Sequence, residues 1–185
     1  MSSPFLPSAA FPYEKKNSLD SLLRVDLAGE ESAVTLYKGQ IKNTQDPLTQ
    51  KLLKEMLGEE ARHVDILKKW VIQKNARPSF LTGFWRFFGY TWGAIAAKLG
   101  TPYAMAQTEA VETVIEKHYQ EQIDFLQNKM PAQKKLIRCL EQLRDDEAAH
   151  KEEGAEHHHQ SLGIDGWRFL TLKGTRLAIA IAKHI

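Results

Sequence analysis

The chain holds a single cysteine, Cys139, in 185 residues. That excludes a disulfide framework and any zinc or rubredoxin-type module built on thiolates, and it fits a reducing compartment. The chain also has no excess of charge of either sign. Its 25 basic and 23 acidic residues leave a formal net charge of +2, which carries no general nucleic-acid signal. Strand-like alternation of apolar and polar residues is missing throughout, so the fold class expected is all-α. Residues 1–13 contain apolar and proline residues but neither a basic n-region nor a long apolar core, and a signal peptide is not expected there. The length suits one domain with a full core and is too short for two.

Two copies of Glu-x-x-His are present, each with its own upstream glutamate. Glu60-Ala-Arg-His63 follows Glu30, and Glu147-Ala-Ala-His150 follows Glu112. In a helix, residues three apart sit about 60° apart around the axis, so each Glu/His pair projects from one side. One glutamate from each of two helices and one Glu-x-x-His from each of two others form the ligand set of di-iron carboxylate bundles. Four ionised carboxylates meeting in a core repel one another severely, and two divalent cations would neutralise them. Oxygen and imidazole donors without thiolate suit iron or manganese better than structural zinc.

Helix punctuation is plain. Ser18 is a cap for a helix running to about Asn43, and Asp46-Pro47 starts a second that stops before Pro78. Thr101-Pro102 starts a third ending near Asn128. Pro131 opens a fourth that runs to about Ser161, where Leu162-Gly163 and Asp165-Gly166 break it. Residues 167–185 read as a short terminal helix. All six candidate ligands fall on the apolar stripes of these helices. Tyr37 and Tyr119 each stand seven residues after their glutamate, an internal repeat of two helical hairpins joined by a long crossover, as in ferritin-like bundles. The expected architecture is an arm over residues 1–17 and a ferritin-like di-iron domain over 18–185.

A lone Glu-x-x-His arises by chance on solvated helices. Two copies, two matched glutamates and core-face phasing together favour a metal site. Glu59 and Asp146, each just before a motif glutamate, are placed to receive the second ring N–H of the histidine from the opposite motif, with Asp146 the stronger candidate and Glu59 as readily a solvated acid. His118 and Tyr119 are candidates for gating oxygen or relaying protons and electrons, although a packed, hydrogen-bonded tyrosine is the commoner case. His157-His158-His159 reads more readily as a solvated helix end than as a metal tract. Residues 80–99 crowd Phe80, Phe84, Trp85, Phe87, Phe88, Tyr90 and Trp92 around Arg86. Twenty residues could just span a bilayer, but Gly83, Gly89, Gly93 and the arginine argue against a free-standing span. Interfacial contact and burial against the bundle are equally matched readings. The apolar C-terminal segment from Leu172 could join it in one lipid-facing surface.

With these residues identified, the chain resembles the demethoxyubiquinone hydroxylase family of ubiquinone biosynthesis. The matching stretches are Arg24-Val-Asp-Leu-Ala-Gly-Glu30, Glu60-Ala-Arg-His63, Ala110-Val-Glu112 with His118-Tyr119, and Arg144-Asp-Asp-Glu-Ala-Ala-His150. The likeness covers nearly the whole chain from about Leu19. Leu27 departs from it, standing where some relatives carry histidine. The resemblance implies a di-iron monooxygenase that hydroxylates the ring of a demethoxy polyprenyl benzoquinone. It implies two irons per subunit held by Glu30, Glu60, His63, Glu112, Glu147 and His150, with Glu60 and Glu147 bridging. It also implies O2, an electron donor such as NADH, and a membrane surface, which in a bacterium would be the cytoplasmic face of the inner membrane. A lipid-binding accessory protein and a homo-oligomer are further partners it allows. The alternatives are a ferritin-like ferroxidase or iron-storage protein, which needs no aromatic crossover, and a metal-free membrane scaffold, which needs no ligand set.

Overall fold

A computed structural model describes residues 19–183. The expected arm, the Ser18 cap and the last two residues lie outside them. Six helices follow one another: α1 (Leu19–Asn43), α2 (Pro47–Gln73), α3 (Thr82–Leu99), α4 (Thr101–Lys129), α5 (Lys134–Glu156) and α6 (Leu162–Ala182). There is no strand among the described residues.

Asp46 caps α2 as expected, accepting from the Thr49 N–H at 2.9 Å, with Pro47 behind it. Other boundaries differ from the sequence reading. α4 begins after Gly100, whose φ of 120° only glycine adopts readily, and no side chain caps it. Pro131 lies in a turn, and α5 starts at Lys134. The break after α5 comes at residues 157–161, so Leu162-Gly163 and Asp165-Gly166 do not end a helix. They lie in the first turns of α6, where Ser161 accepts from the Ile164 N–H. The terminal helix is therefore long rather than short. The glycines there mattered less than the Ser161 cap, because a helix's first turn tolerates residues that its interior does not.

α1 with α2 and α4 with α5 form two hairpins that face each other. A shift of 82 residues, the step from Glu30 to Glu112, also carries Tyr37 onto Tyr119 and Gln40 onto Gln122. Cross-links between α1 and α4 obey this relation. Tyr37 donates to Glu112 at 2.8 Å, and Tyr119 donates to Glu30. Gln122 donates to Asp26 at 2.5 Å, and Gln40 to Thr108 at 3.5 Å.

The ligand layer sits between two apolar layers. On one side Leu23, Leu67, Leu126, Leu136, Leu140 and Leu143 are packed together; on the other are Tyr37, Leu53, Met56 and Met105. Leu27, the departure from the family pattern, belongs to the first of these layers. α3 lies on α1 at backbone contact. A Cβ on Gly93 would collide with the Leu36 carbonyl, and one on Gly39 with that of Tyr90. α6 lies on α4, which leaves α3 and α6 flanking the face where α1 meets α4. No helix of the described residues is long and apolar enough to cross a membrane.

Candidate metal centre

Helical phasing brings all six expected ligands into one layer, and all six are buried. Glu60 and His63 share the inner face of α2 with Leu53, Met56 and Leu67, and Glu147 and His150 share that of α5 with Leu140 and Leu143. Two sets of potential ligand atoms result, each lying within 4.8 Å of one another. One is Glu30, Glu60, His63 and Glu147; the other is Glu60, Glu112, Glu147 and His150. Glu60 and Glu147 belong to both sets, the position a bridging carboxylate requires.

Both histidines turn Nδ1 inward. His63 Nδ1 stands 3.0 Å from Glu147 and 3.6 Å from Glu30, and His150 Nδ1 stands 3.2 Å from Glu60. Their outer nitrogens are held from the opposite hairpin. His63 Nε2 is 3.1 Å from Asp146, and His150 Nε2 is 2.7 Å from Glu59. Glu59 is thus the counterpart of Asp146 rather than a merely solvated acid. Both carboxylates are half-exposed, so water stays within reach of the outer partners while the inner nitrogens stay dry.

The electrostatics are those of a cage made for cations. Burial, followed by repulsion from Glu147 and Glu30, pushes the Glu60 carboxyl well above its usual value; burial and Glu147 do the same to Glu112. Burial also opposes ionisation of Glu147, but His150 and His63 outweigh it and hold that carboxyl at about 2. For His63, burial is outweighed by Glu147 and Glu30, and its imidazole rises to about 11. Ionising these carboxyls together therefore calls for compensating positive charge. Both oxygens of Glu60, both of Glu147, and the inner nitrogens of His63 and His150 have no hydrogen-bond partner despite burial. Orphaned donor atoms converging in one layer, all oxygen or imidazole, fit two divalent cations of the iron or manganese kind.

The remaining expected site residues divide. Tyr119 is fully buried and bonds a candidate ligand, Glu30. Tyr37 does the same for Glu112, a role the seven-residue repeat signalled without revealing. His118 stands one layer outward, 3.3 Å from Asp26 and 2.8 Å from Gln122. Burial raises the Asp26 carboxyl, with His118 and Gln122 opposing. The His157–His159 tract is neither uniformly solvated nor a metal group among the described residues. His157 stays with its own helix near Glu153, whereas the mostly buried His158 joins Arg168 on Glu109. Nothing in the sequence marked that Glu109 cluster, because its members are 49 and 59 residues apart.

An apolar cavity of about 210 Å³ opens over the glutamates. Glu30, Glu60, Glu112 and Glu147 line one end; Val25, Ala33 and Val111 line its sides, with Trp85, Phe88 and Trp92 from α3 and Leu170 and Ile179 from α6. Trp85 is only 7% exposed and packs against Val25, Ala28 and Ala182, so it is a wall of the cavity rather than part of an outer stripe.

Comparison with known proteins agrees with this arrangement. Residues 17–182 match the family described as ubiquinone biosynthesis protein COQ7. The mitochondrial NADPH-dependent 3-demethoxyubiquinone 3-hydroxylase of Dictyostelium discoideum is 34% identical over 172 residues, covering 92% of this chain and 79% of its own. Its namesake in Caenorhabditis elegans is 31% identical over 169 residues, 90% of each chain. The 3-demethoxyubiquinol 3-hydroxylase of Rhodospirillum rubrum is 32% identical over 170 residues, 90% of this chain and 78% of its own. Spanning both hairpins and both flanking helices, the match shows that this chain belongs to the COQ7 family of ubiquinone biosynthesis.

Proposed function

We propose that this chain is a hydroxylase of ubiquinone biosynthesis that adds oxygen to the ring of a demethoxy polyprenyl quinone or quinol, using two irons and O2. The observation that carries the reading is the apolar cavity ending on the glutamate layer. A ferroxidase needs an aqueous path for iron, and a metal-free scaffold has no use for buried carboxylates without partners.

Glu30, Glu60, His63, Glu112, Glu147 and His150 would hold the irons, with Glu60 and Glu147 between them. The chemistry an iron pair supplies when bound is reduction of O2, one atom entering a ring C–H and the other leaving as water with two electrons from a donor. The rest falls to the chain. Asp146 and Glu59 orient the histidines. Tyr37 and Tyr119 restrain Glu112 and Glu30, and the apolar walls exclude water from the reacting ring. Tyr119, with His118 and Asp26 behind it, offers a route for protons between the ligand layer and the surface. The donor is a reduced nicotinamide dinucleotide. NADH is one donor the family resemblance allows, and the Dictyostelium and C. elegans relatives are named for NADPH.

The substrate's tail also calls for a lipid surface. α3 and α6 carry exposed Phe84, Phe87, Phe169 and Leu177, with Arg86 and Lys173 among them, and Phe80 stands exposed just before α3. Such a face seats at a membrane interface without crossing the bilayer. The test is quinone mass spectrometry in cells lacking this protein. A demethoxy precursor should accumulate, and the wild-type chain should clear it while a Glu147→Ala chain does not. Clearance by Glu147→Ala, or no precursor at all, would overturn the proposal.

A further inference from the structure

Glycine disfavours a helix interior, so each helical glycine asks for a reason. Gly39, Gly89, Gly93 and Gly154 have one, because a Cβ there would collide with a neighbouring helix's backbone. Gly163 lies under the Tyr103 hydroxyl, Gly100 has a positive φ, and Gly58, Gly83 and Gly166 are on the exposed surface. Gly29 and Gly174 fit none of these descriptions. Both are half-buried, both line the cavity over the glutamates, and a Cβ on either meets no atom within 4 Å. The space beside them is the cavity itself.

A second observation ties the space to the candidate metal centre. Glu60 and Glu147, both buried, line the same cavity with carboxylate oxygens that have no hydrogen-bond partner. The walls beside Gly174 are also pinned. Trp92 on α3 stacks on Trp167 of α6 with ring centres 4.5 Å apart. At the other end, Trp85 and Leu81 pack with Ala178, Ile179 and Ala182. Arg168 adds a two-pronged pair to Glu109 of α4, at 2.6 and 2.5 Å. Gly174 falls between these fastenings along α6, so a side chain there would fill the gap rather than push the helices apart.

We infer that Gly174, together with Gly29 on α1, sets the width of the slot through which a flat substituted ring reaches the glutamates, making Gly174 a determinant of head-group size. The inference rests on the quinone hydroxylase reading and adds to it a residue that selects among rings. A larger residue at 174 admits narrow rings and rejects wide ones, leaving the ligand layer intact.

The experiment uses the iron-loaded full chain and the series Gly174→Ala, Gly174→Val and Gly174→Leu. Trp85 and Trp92 line the cavity, so quenching of tryptophan fluorescence by a quinone reports binding without turnover. Two short-tailed quinones serve as probes, one substituted at every ring position except the carbon to be hydroxylated and one with no ring substituent besides its tail. Affinity and kcat/KM for the substituted ring should fall stepwise with side-chain size, by about tenfold or more at leucine, and the bare ring should lose far less. Iron content should match wild type, and Tm should be equal or higher because a helical glycine has been removed. Equal losses for both rings, or no loss at leucine, would overturn the inference. If Gly174→Leu loses helicity, the alanine and valine variants carry the same comparison. Quinone binding without hydroxylation by wild type would refute the hydroxylase reading, and the binding series would still decide the role of Gly174.

Discussion

His63 and Asp146, 83 residues apart, meet at 3.1 Å across the gap between α2 and α5. His63 turns its other nitrogen to Glu147, the residue next to Asp146. One turn of α5 thus supplies both a candidate metal ligand and the group that orients the facing histidine. The pair His150 and Glu59 repeats the relation from the other hairpin.

Asp146→Asn and Glu59→Gln should each weaken iron affinity or turnover by about 10- to 100-fold while preserving helicity, the usual cost of losing a group that orients a ligating histidine. The near-symmetry makes the two effects similar in size. Iron titration of the metal-free proteins is the check. A loss confined to Asp146→Asn would show that Glu59 is a surface acid that happens to lie near His150.

Glu112→Ala and Glu147→Ala should lose iron and hydroxylation together and keep most of their helical circular dichroism. Metal analysis after reconstitution measures the first effect, and product formation the second. Full turnover by a Glu147→Ala protein stripped of metal would end the di-iron assignment.

Stability should depend on pH in opposite ways with and without metal. Glu60 and Glu112 have raised carboxyl values, so their contribution is present in acid and is lost as pH climbs through those values. His63, raised to about 11, likewise contributes below its usual 6.5 and loses that contribution on the way to 11. Glu147 has the opposite sign; its contribution is present above 4.5 and disappears as pH falls towards 2. The metal-free protein should therefore lose Tm as pH rises from 6.5 towards about 11. Iron displaces the same protons, so the Tm gap between loaded and metal-free protein should widen over that range. Thermal scans with and without chelator test this, and a constant gap would contradict it.

Tyr37→Phe and Tyr119→Phe remove equivalent hydrogen bonds to Glu112 and Glu30. Each should cost about 0.5–1.5 kcal/mol of stability, the usual net value of a hydrogen bond. If Tyr119 also passes protons, its variant should lose more turnover at full iron loading than Tyr37→Phe does. Equal turnover in the two would reduce Tyr119 to a packing role.

Phe84→Ser with Phe87→Ser should reduce liposome binding and leave Tm nearly unchanged, because both rings are exposed, Phe87 at 72%. Trp85→Ser should instead lower Tm, since that ring is a buried wall. Liposome co-sedimentation and melting curves separate the two. Normal vesicle binding by the double variant would remove the membrane face.

The sequence by itself determined the helical elements and which acidic and imidazole side chains share their inner faces. Apolar stripes at helical spacing carry Glu30, Glu60, His63, Glu112, Glu147 and His150 onto inner faces, and local geometry alone makes each Glu-x-x-His a unit. Asp46-Pro47 marks a helix start for a reason contained within four residues. The terminal helix starts earlier than its glycines suggest, because the single Ser161 hydroxyl caps it. Tertiary structure decided whatever depends on two helices meeting. Neither the bond from Tyr37 to Glu112 nor that from Glu59 to His150 has a local signature, since the partners come from different hairpins. The same holds for Trp85, which helical spacing places on the aromatic segment with Phe84 and Phe88. Only the close approach of α3 to α1, which its glycines permit, turns that ring inward and leaves its neighbours outside. Spacing along one helix places a side chain on a face, but what that face meets depends on how the chain folds back, and residues far apart in sequence settle that together.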